Sequence, residues 1–199
     1  MAEEIANEIW NKRKEILEKI GQESIDVYLF LKKEFKKGNI KNNKVFQFVF
    51  RSYYRLDSAG LSEGIKNEYF DLMAQQVTNL KKILLELYKI KTLRNKNTVQ
   101  FSFATKLLHT IDENNPIWDT EVVRVMKIKI SGLGYKEKIE SCYESYEKLK
   151  QRFEDLLVDK RSKKVIFQFR NKFKVNKNQI SDVKVLDFII WTLGKLIKK

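Results

Sequence analysis

Cysteine, histidine and proline are almost absent from this chain, which has one residue of each among 199. A single cysteine, Cys142, excludes an intrachain disulfide and any zinc or iron–sulfur centre that needs several cysteines. A single histidine, His109, excludes a histidine-rich metal site, and we expect it to pack at a helix end. The sequence therefore predicts a protein without a metal, in a reducing compartment such as the cytoplasm.

Glycine is scarce too, and no glycine-rich loop with a following Lys-Ser or Lys-Thr binds phosphate here. A dinucleotide fingerprint is also missing, which argues against kinases, nucleotidases and oxidoreductases and predicts no cofactor. No run of about 18 apolar residues is present, so we predict no membrane partner. The acidic start, Met1 to Ile5, lacks the order of a signal peptide, so we expect a cytoplasmic protein.

Hydrophobic residues make up 43% of the chain, which is enough for a sizeable core. Their spacing is helical, so we predict an all-α fold of about eight or nine helices. The chain would form a single domain over 1–199, or two lobes, 1–96 and 97–199, around a cleft near Asp119. Oligomeric state is left open.

The apolar pattern and the turn residues set the expected helix bounds. Asn43, Ser62 and either Ser181 or Asp182 are typical of helix N-caps, and Asn97 or Thr98 is expected to open a further helix. Residues 160–164 are expected to be a charged corner between helices, and 165–173 fit no single pattern well. The expected helices cover 2–20, 23–37, 44–54, 62–90, 99–111, 120–131, 135–158 and a final segment from about 181.

The net charge of +14 is concentrated in two blocks. Residues 31–60 hold eight Lys and Arg against two Asp and Glu, and residues 151–180 hold nine against three. If the blocks meet in the fold, they form a positive face suited to a phosphate backbone, so DNA is the expected partner. The alternative is a basic surface that serves only solubility. The expected nucleic-acid contacts are Arg51, Arg55, Lys106, Arg124, Lys160, Arg161, Lys163 and Lys164.

One carboxylate, Asp119, lies at the expected start of a helix, shortly after Pro116. In that position it accepts hydrogen bonds from free helix N–H groups and gains from the positive end of the helix dipole. Both effects favour the ionised form, which suits a group that stabilises a positive transition state or orients a water molecule. An ordinary helix cap has the same composition. Arg124 would bind phosphate or pair with Glu121 one turn earlier.

The segment Asp119-Thr120-Glu121-Val122-Val123-Arg124-Val125 resembles the Asp-Thr-His-Val-x-Arg-Val segment of the helix-hairpin-helix DNA glycosylases. The resemblance covers roughly 98–130 and, more weakly, 187–195. It implies that Asp119 is the catalytic carboxylate of N-glycosidic cleavage. Such an enzyme flips a base out of the duplex and holds it against aromatic rings, here Trp118 and Tyr53.

Several features depart from that family. The Leu-Pro-Gly-Val-Gly hairpin, which grips a phosphate, is replaced by residues 97–101, which contain no glycine. The Schiff-base lysine has no counterpart, since its place falls near Phe101 and Lys106 comes about a turn and a half later. We therefore expect a glycosylase without lyase activity, or a relative that kept the scaffold and lost the activity. The alternative function is a non-catalytic helical module for protein interaction with a solubilising basic surface.

Overall fold

The computed structural model describes residues 1–198, and over that range the protein is all-helical without strands. Ten α-helices are present in this part of the chain, slightly more than the predicted eight or nine, together with a 3-10 turn. The elements are α1 (Ala2–Lys19), α2 (Gln22–Lys36), α3 (Lys44–Tyr54), the 3-10 turn (Asp57–Ala59), α4 (Glu63–Ala74), α5 (Leu80–Tyr88), α6 (Phe101–Ile111), α7 (Thr120–Met126), α8 (Tyr135–Val158), α9 (Lys160–Phe173) and α10 (Asp182–Leu196).

Side-chain caps explain where several helices begin. Asn43 accepts a hydrogen bond from the Phe46 N–H at 3.0 Å and starts α3. Ser62 caps α4 and Ser181 caps α10 in the same way, each through its hydroxyl oxygen. These residues satisfy N–H groups that have no partner within the helix, so the predicted starts are confirmed.

The predicted helix over 62–90 is wrong as a single element. It is split into α4 and α5, because Gln76 adopts a left-handed φ of 51° and Asn79 caps a new helix through the Lys82 N–H at 2.9 Å. The predicted helix over 120–131 is shorter than expected, since Lys127 ends α7 with a φ of 50°. The proposed start of α6 at Asn97 or Thr98 is also wrong, because the helix begins at Phe101.

The expected corner over 160–164 is the first turn of α9. Asp159 caps this helix, because its Oδ1 accepts hydrogen bonds from the N–H groups of Arg161 at 2.8 Å and Ser162 at 3.2 Å. The charged run is therefore the exposed side of a helix whose other side carries buried Val165 and Phe169.

The described residues divide into two compact units. The first unit contains residues 1–25, 113–129 and 144–198, and the second contains residues 26–112 and 130–143. Each unit is therefore assembled from segments that are distant in sequence, whereas the expected lobes were continuous halves of the chain.

Helix α10 is the centre of the first unit, where it contacts α1, α7 and α9. Twelve of its 15 residues are buried, which explains its nearly continuous apolar sequence. At Gly194 the backbone of α7 comes so close that a Cβ would lie 2.4 Å from the carbonyl oxygen of Glu121. Gly194 is thus required for the spacing of α7 and α10, and this packing fixes the helix that Asp119 begins.

Helices α4, α5 and α6 pack together in the second unit. Five aromatic residues form its core around Phe50, whose ring centroid lies 4.6 Å from that of Tyr54 and 5.7 Å from that of Phe70. The Tyr69 hydroxyl donates a hydrogen bond to the carbonyl oxygen of Phe103 at 3.0 Å, and burial raises the pKa of Tyr69. The five aromatic residues of this core are Phe46, Phe50, Tyr54, Tyr69 and Phe70.

Candidate nucleic-acid interface

Asp119 is the N-cap of α7 and is half-buried. Its backbone is extended, its Oδ1 accepts a hydrogen bond from the Glu121 N–H at 3.0 Å, and its carbonyl oxygen accepts one from the Val123 N–H at 2.9 Å. No hydrogen bond joins the other carboxylate oxygen to a protein group within residues 1–198. One oxygen thus holds the helix start, while the other makes no hydrogen bond to the described part of the protein.

The segment before Asp119 is held in place by hydrogen bonds within the first unit. The hydroxyl of buried Tyr146 donates to the carbonyl oxygen of Pro116 at 3.0 Å. Ser181, the cap of α10, donates its hydroxyl proton to the carbonyl oxygen of Glu113 at 3.0 Å. These bonds fix the chain at Glu113 and at Pro116 and so help to determine where Asp119 lies.

Arg124 is engaged inside the first unit. Its guanidinium forms an ion pair with Glu121, one turn earlier on α7. It also donates a hydrogen bond from Nη1 to the carbonyl oxygen of Gly194 at 3.3 Å. Of the two roles considered for Arg124, these contacts match the pairing with Glu121.

The other expected residues of a base pocket and its surroundings are distributed over both units. Trp118 is buried in the first unit. Tyr53 is half-buried in the second, where its ring packs edge-on against Tyr54 at 4.8 Å between centroids. Lys106 is buried in α6, with its Nζ 4.8 Å from the ring centroid of Phe103. A cation buried in this way does not present its charge on an open surface.

The outer side of α9 carries the clearest basic surface of the first unit, and we call it the α9 face. The face consists of Lys160, Lys163, Lys164, Phe167 and Asn171. At 3.6 residues per turn, these five residues fall within about 100° of the helix circumference. The three lysines are exposed, and none lies within ion-pair distance of a carboxylate among residues 1–198. None of the five residues of the face is acidic, so its charge is positive throughout.

Arg161 was expected on the same surface but points to a different neighbour. Its guanidinium pairs with Asp159 at 2.7 Å and donates a hydrogen bond to Asn7 on α1 at 2.5 Å. The hydrogen bond from Arg161 lowers the pKa of Asp159 and, with the two backbone bonds to the same carboxylate, keeps it ionised. Arg161 therefore links the start of α9 to α1, and its positive charge is partly neutralised by Asp159.

An aromatic side chain of α1 lies beside the α9 face. The guanidinium carbon of Arg13 is 4.0 Å from the ring centroid of Trp10, and the Nζ of Lys164 is 5.7 Å from it. Contacts of this kind are cation–π interactions, which position the cations without neutralising them. Sequence reasoning missed this cluster, because Lys164 is more than a hundred residues from Trp10 and Arg13 in the chain.

In the second unit, the charged residues of α3 are partly neutralised. Arg51 is half-buried, with its Nε 3.5 Å from Asp57. Arg55 is exposed and ends α3 in the left-handed region, with a φ of 59°. Phe48 is exposed on the same helix, at 64% of its maximal area. The structure thus leaves Arg55 more accessible to phosphate than Arg51.

Groups that often serve as nucleophiles or metal ligands are engaged in packing. Cys142 is buried, and burial raises the pKa of its thiol to about 11, so it is a poor nucleophile at neutral pH. His109 is buried and lies 3.2 Å from the hydroxyl of Tyr28. Within residues 1–198 there is no group of three His, Cys, Asp or Glu side chains that could bind a metal ion, nor a helix long and apolar enough to cross a membrane.

The site residues that lie together are thus the lysines of the α9 face, with Asp119 on another helix of the same unit. Phe167 was missed, although its spacing of three and four residues from Lys164 and Lys163 would have placed it on their side of a helix. Comparisons of this chain with protein-family models, curated proteins and solved structures found no match.

Proposed function

We propose that this protein binds nucleic acid, with DNA as the partner, through the phosphate backbone. The observation that carries the proposal is the α9 face, where three exposed lysines lie on one side of a rigid helix without a carboxylate partner among residues 1–198. Lysines that neutralise phosphates release condensed counterions, which is the main source of affinity in binding that is independent of sequence.

The dimensions of the α9 face suit a nucleic-acid strand. From Lys160 to Asn171 the helix rises about 16 Å, at 1.5 Å per residue, which equals about five nucleotides at 3.4 Å each. Asn171 adds a neutral donor and acceptor at the end of the row. The Asp159 cap and the buried side of α9 hold the lysines in place, so little ordering of the backbone is needed on binding.

Charge removal tests this proposal directly. Replacing Lys160, Lys163 and Lys164 by Gln should weaken binding to a short duplex DNA at least about tenfold at low salt, as measured by fluorescence anisotropy. The matched control replaces three exposed lysines of the same unit, Lys127, Lys129 and Lys148, by Gln. If both triple variants lose affinity equally, the α9 face is not the site. If the unaltered protein binds neither duplex nor single-stranded DNA, its basic surface serves solubility or protein interaction.

Base excision at Asp119 is the second candidate function. It is supported by the carboxylate oxygen that no protein group among residues 1–198 binds, and by the resemblance of residues 119–125 to a glycosylase segment. In this role the carboxylate would stabilise positive charge on the sugar as the base leaves. The absence of a Schiff-base lysine at the expected place favours a glycosylase that releases the base and leaves the strand intact.

The test incubates duplexes that contain uracil, alkylated or oxidised bases with the protein and measures abasic sites. Asp119→Asn is a suitable variant because Asn caps helices as well as Asp does, so the fold of α7 is preserved while the charge is lost. We expect abasic sites from at least one lesion and none from the variant. No product from any lesion, or equal product from both proteins, would exclude this activity.

A further inference from the structure

We propose that Phe167 stacks on an unpaired base, so that the α9 face binds single-stranded nucleic acid better than duplex. This inference rests on the proposed nucleic-acid binding and names the form of the ligand. It starts from the position of an aromatic ring in the middle of a basic surface, where a purely electrostatic site would need only charged or polar side chains.

Phe167 is exposed at 63% of its maximal area and has no aromatic or cationic ring contact within residues 1–198. The neighbouring Phe169 differs, because it is buried with its ring centroid 4.6 Å from that of Phe173. Phe167 thus adds little to the core of the first unit and leaves a large apolar ring accessible to a ligand.

The surroundings of Phe167 select the chemistry of that ligand. Lys163 and Lys164 lie one turn before it and Asn171 one turn after it, all exposed or on the exposed side. A ligand that covers the ring therefore meets positive charge on one side and an amide on the other. A nucleotide has a flat apolar face and a phosphate, and so it satisfies both requirements at once.

Trp10, the other aromatic residue near these lysines, is less suited to stacking. It is half-buried, and the guanidinium of Arg13 lies 4.0 Å from its ring centroid. One face of the indole is thus covered by a protein cation. On α9, the ring of Phe167 has no cation over either face within residues 1–198.

The preference for single strands follows from the accessibility of the bases. In a duplex, the bases are stacked on each other, and a ring on a helix surface meets only phosphates or groove edges. In a single strand, a base can turn its face to an aromatic ring, and this stacking tolerates any sequence because every base has a π-face. Since α9 is held by its cap and its buried side, the ring is presented on a rigid element.

The experiment measures binding of a labelled oligothymidine and of a duplex of equal length by fluorescence anisotropy. The variants are Phe167→Ala, Phe167→Tyr and, as a matched control, Phe48→Ala, which removes an equally exposed ring from the second unit. We expect Phe167→Ala to weaken binding to the single strand at least about fivefold and to the duplex by less than about twofold. Phe167→Tyr should retain most of the affinity, and Phe48→Ala should bind as the unaltered protein does.

Equal losses on single strand and duplex, or no loss on either, would refute stacking by Phe167. A change in oligomeric state for Phe167→Ala, seen by size-exclusion chromatography with light scattering and without a loss of binding, would show instead that the ring contacts a second copy. Failure of the proposed function looks different, because then neither nucleic acid binds or the lysine variants bind as well as the unaltered protein.

Discussion

Gly194→Ala is expected to destabilise the protein strongly, although alanine is ordinarily the better helix residue. In an open helix interior the exchange would add about 0.5–1 kcal/mol to the free energy of unfolding. At this position the new Cβ would lie 2.4 Å from the Glu121 carbonyl oxygen and 2.8 Å from its carbonyl carbon. These are backbone atoms that cannot rotate away, so α7 and α10 must move apart.

The size of the effect follows from the contacts that this movement disturbs. Overpacking costs about 1–3 kcal/mol, and separation would also weaken the hydrogen bond from Arg124 to the Gly194 carbonyl oxygen, worth about 1 kcal/mol. After the gain in helix propensity, we expect a net loss of about 1–3.5 kcal/mol. For a chain of this size, that loss corresponds to a fall in Tm of about 2–14 °C.

The assay is urea denaturation followed by far-UV circular dichroism and by tryptophan fluorescence, two probes that reveal whether the transition is a single one. Gly64→Ala is the matched control, since its Cβ would lie 3.2 Å from the end of the flexible Ile90 side chain. This control should leave stability within about 0.5 kcal/mol of the unaltered protein. If Gly194→Ala is as stable as Gly64→Ala, the close contact between α7 and α10 is not as described.

Two further predictions concern buried or partly buried charges. The hydrogen bond from Arg161 lowers the pKa of Asp159, so this carboxylate stabilises the fold above its ordinary pKa of 3.8, and the contribution is lost as the pH falls through the lowered value. Asn caps a helix as well as Asp does, so Asp159→Asn removes mainly the charge-assisted bond to Arg161, and the variant should be less stable at pH 7 by about 1 kcal/mol. The difference in urea denaturation should vanish well below pH 3.8, and a difference that does not depend on pH would contradict this. Asp187→Leu removes the carboxylate that lies 2.7 Å from the buried ammonium group of Lys184, which should cost about 3–5 kcal/mol. The double variant with Lys184→Met should recover most of that stability, and a double variant as unstable as the single one would argue against the ion pair as the cause.

Local signals allowed much of the fold to be predicted from the sequence. The bounds of α3 and α8 agree with the expected 44–54 and 135–158. Asn43, Ser62 and Ser181 could be identified as caps because a cap bonds to N–H groups only a few residues away. Asp119 caps its helix for the same reason.

The remaining features depend on contacts between distant residues or on backbone conformations that composition does not reveal. The break between α4 and α5 requires Gln76 to adopt the left-handed conformation, which glutamine rarely adopts and which the sequence therefore does not predict. Four of the five residues at 160–164 are charged, which favours an exposed corner, whereas Asp159 caps a helix there and all three lysines of the run are exposed. The hydrogen bond from Arg124 to the carbonyl oxygen of Gly194 joins residues that are seventy positions apart in the chain.

The most direct test of nucleic-acid binding by the α9 face is the dependence of DNA affinity on salt. Three phosphate contacts contribute about −2.7 to the slope of log K against log salt concentration, which amounts to about a 40-fold loss of affinity between 50 and 200 mM salt. The variant with Gln at Lys160, Lys163 and Lys164 should therefore show a slope that is less steep by about 2–3, while the control with Gln at Lys127, Lys129 and Lys148 keeps more of the original slope. Equal slopes for the unaltered protein and the first variant would contradict the account.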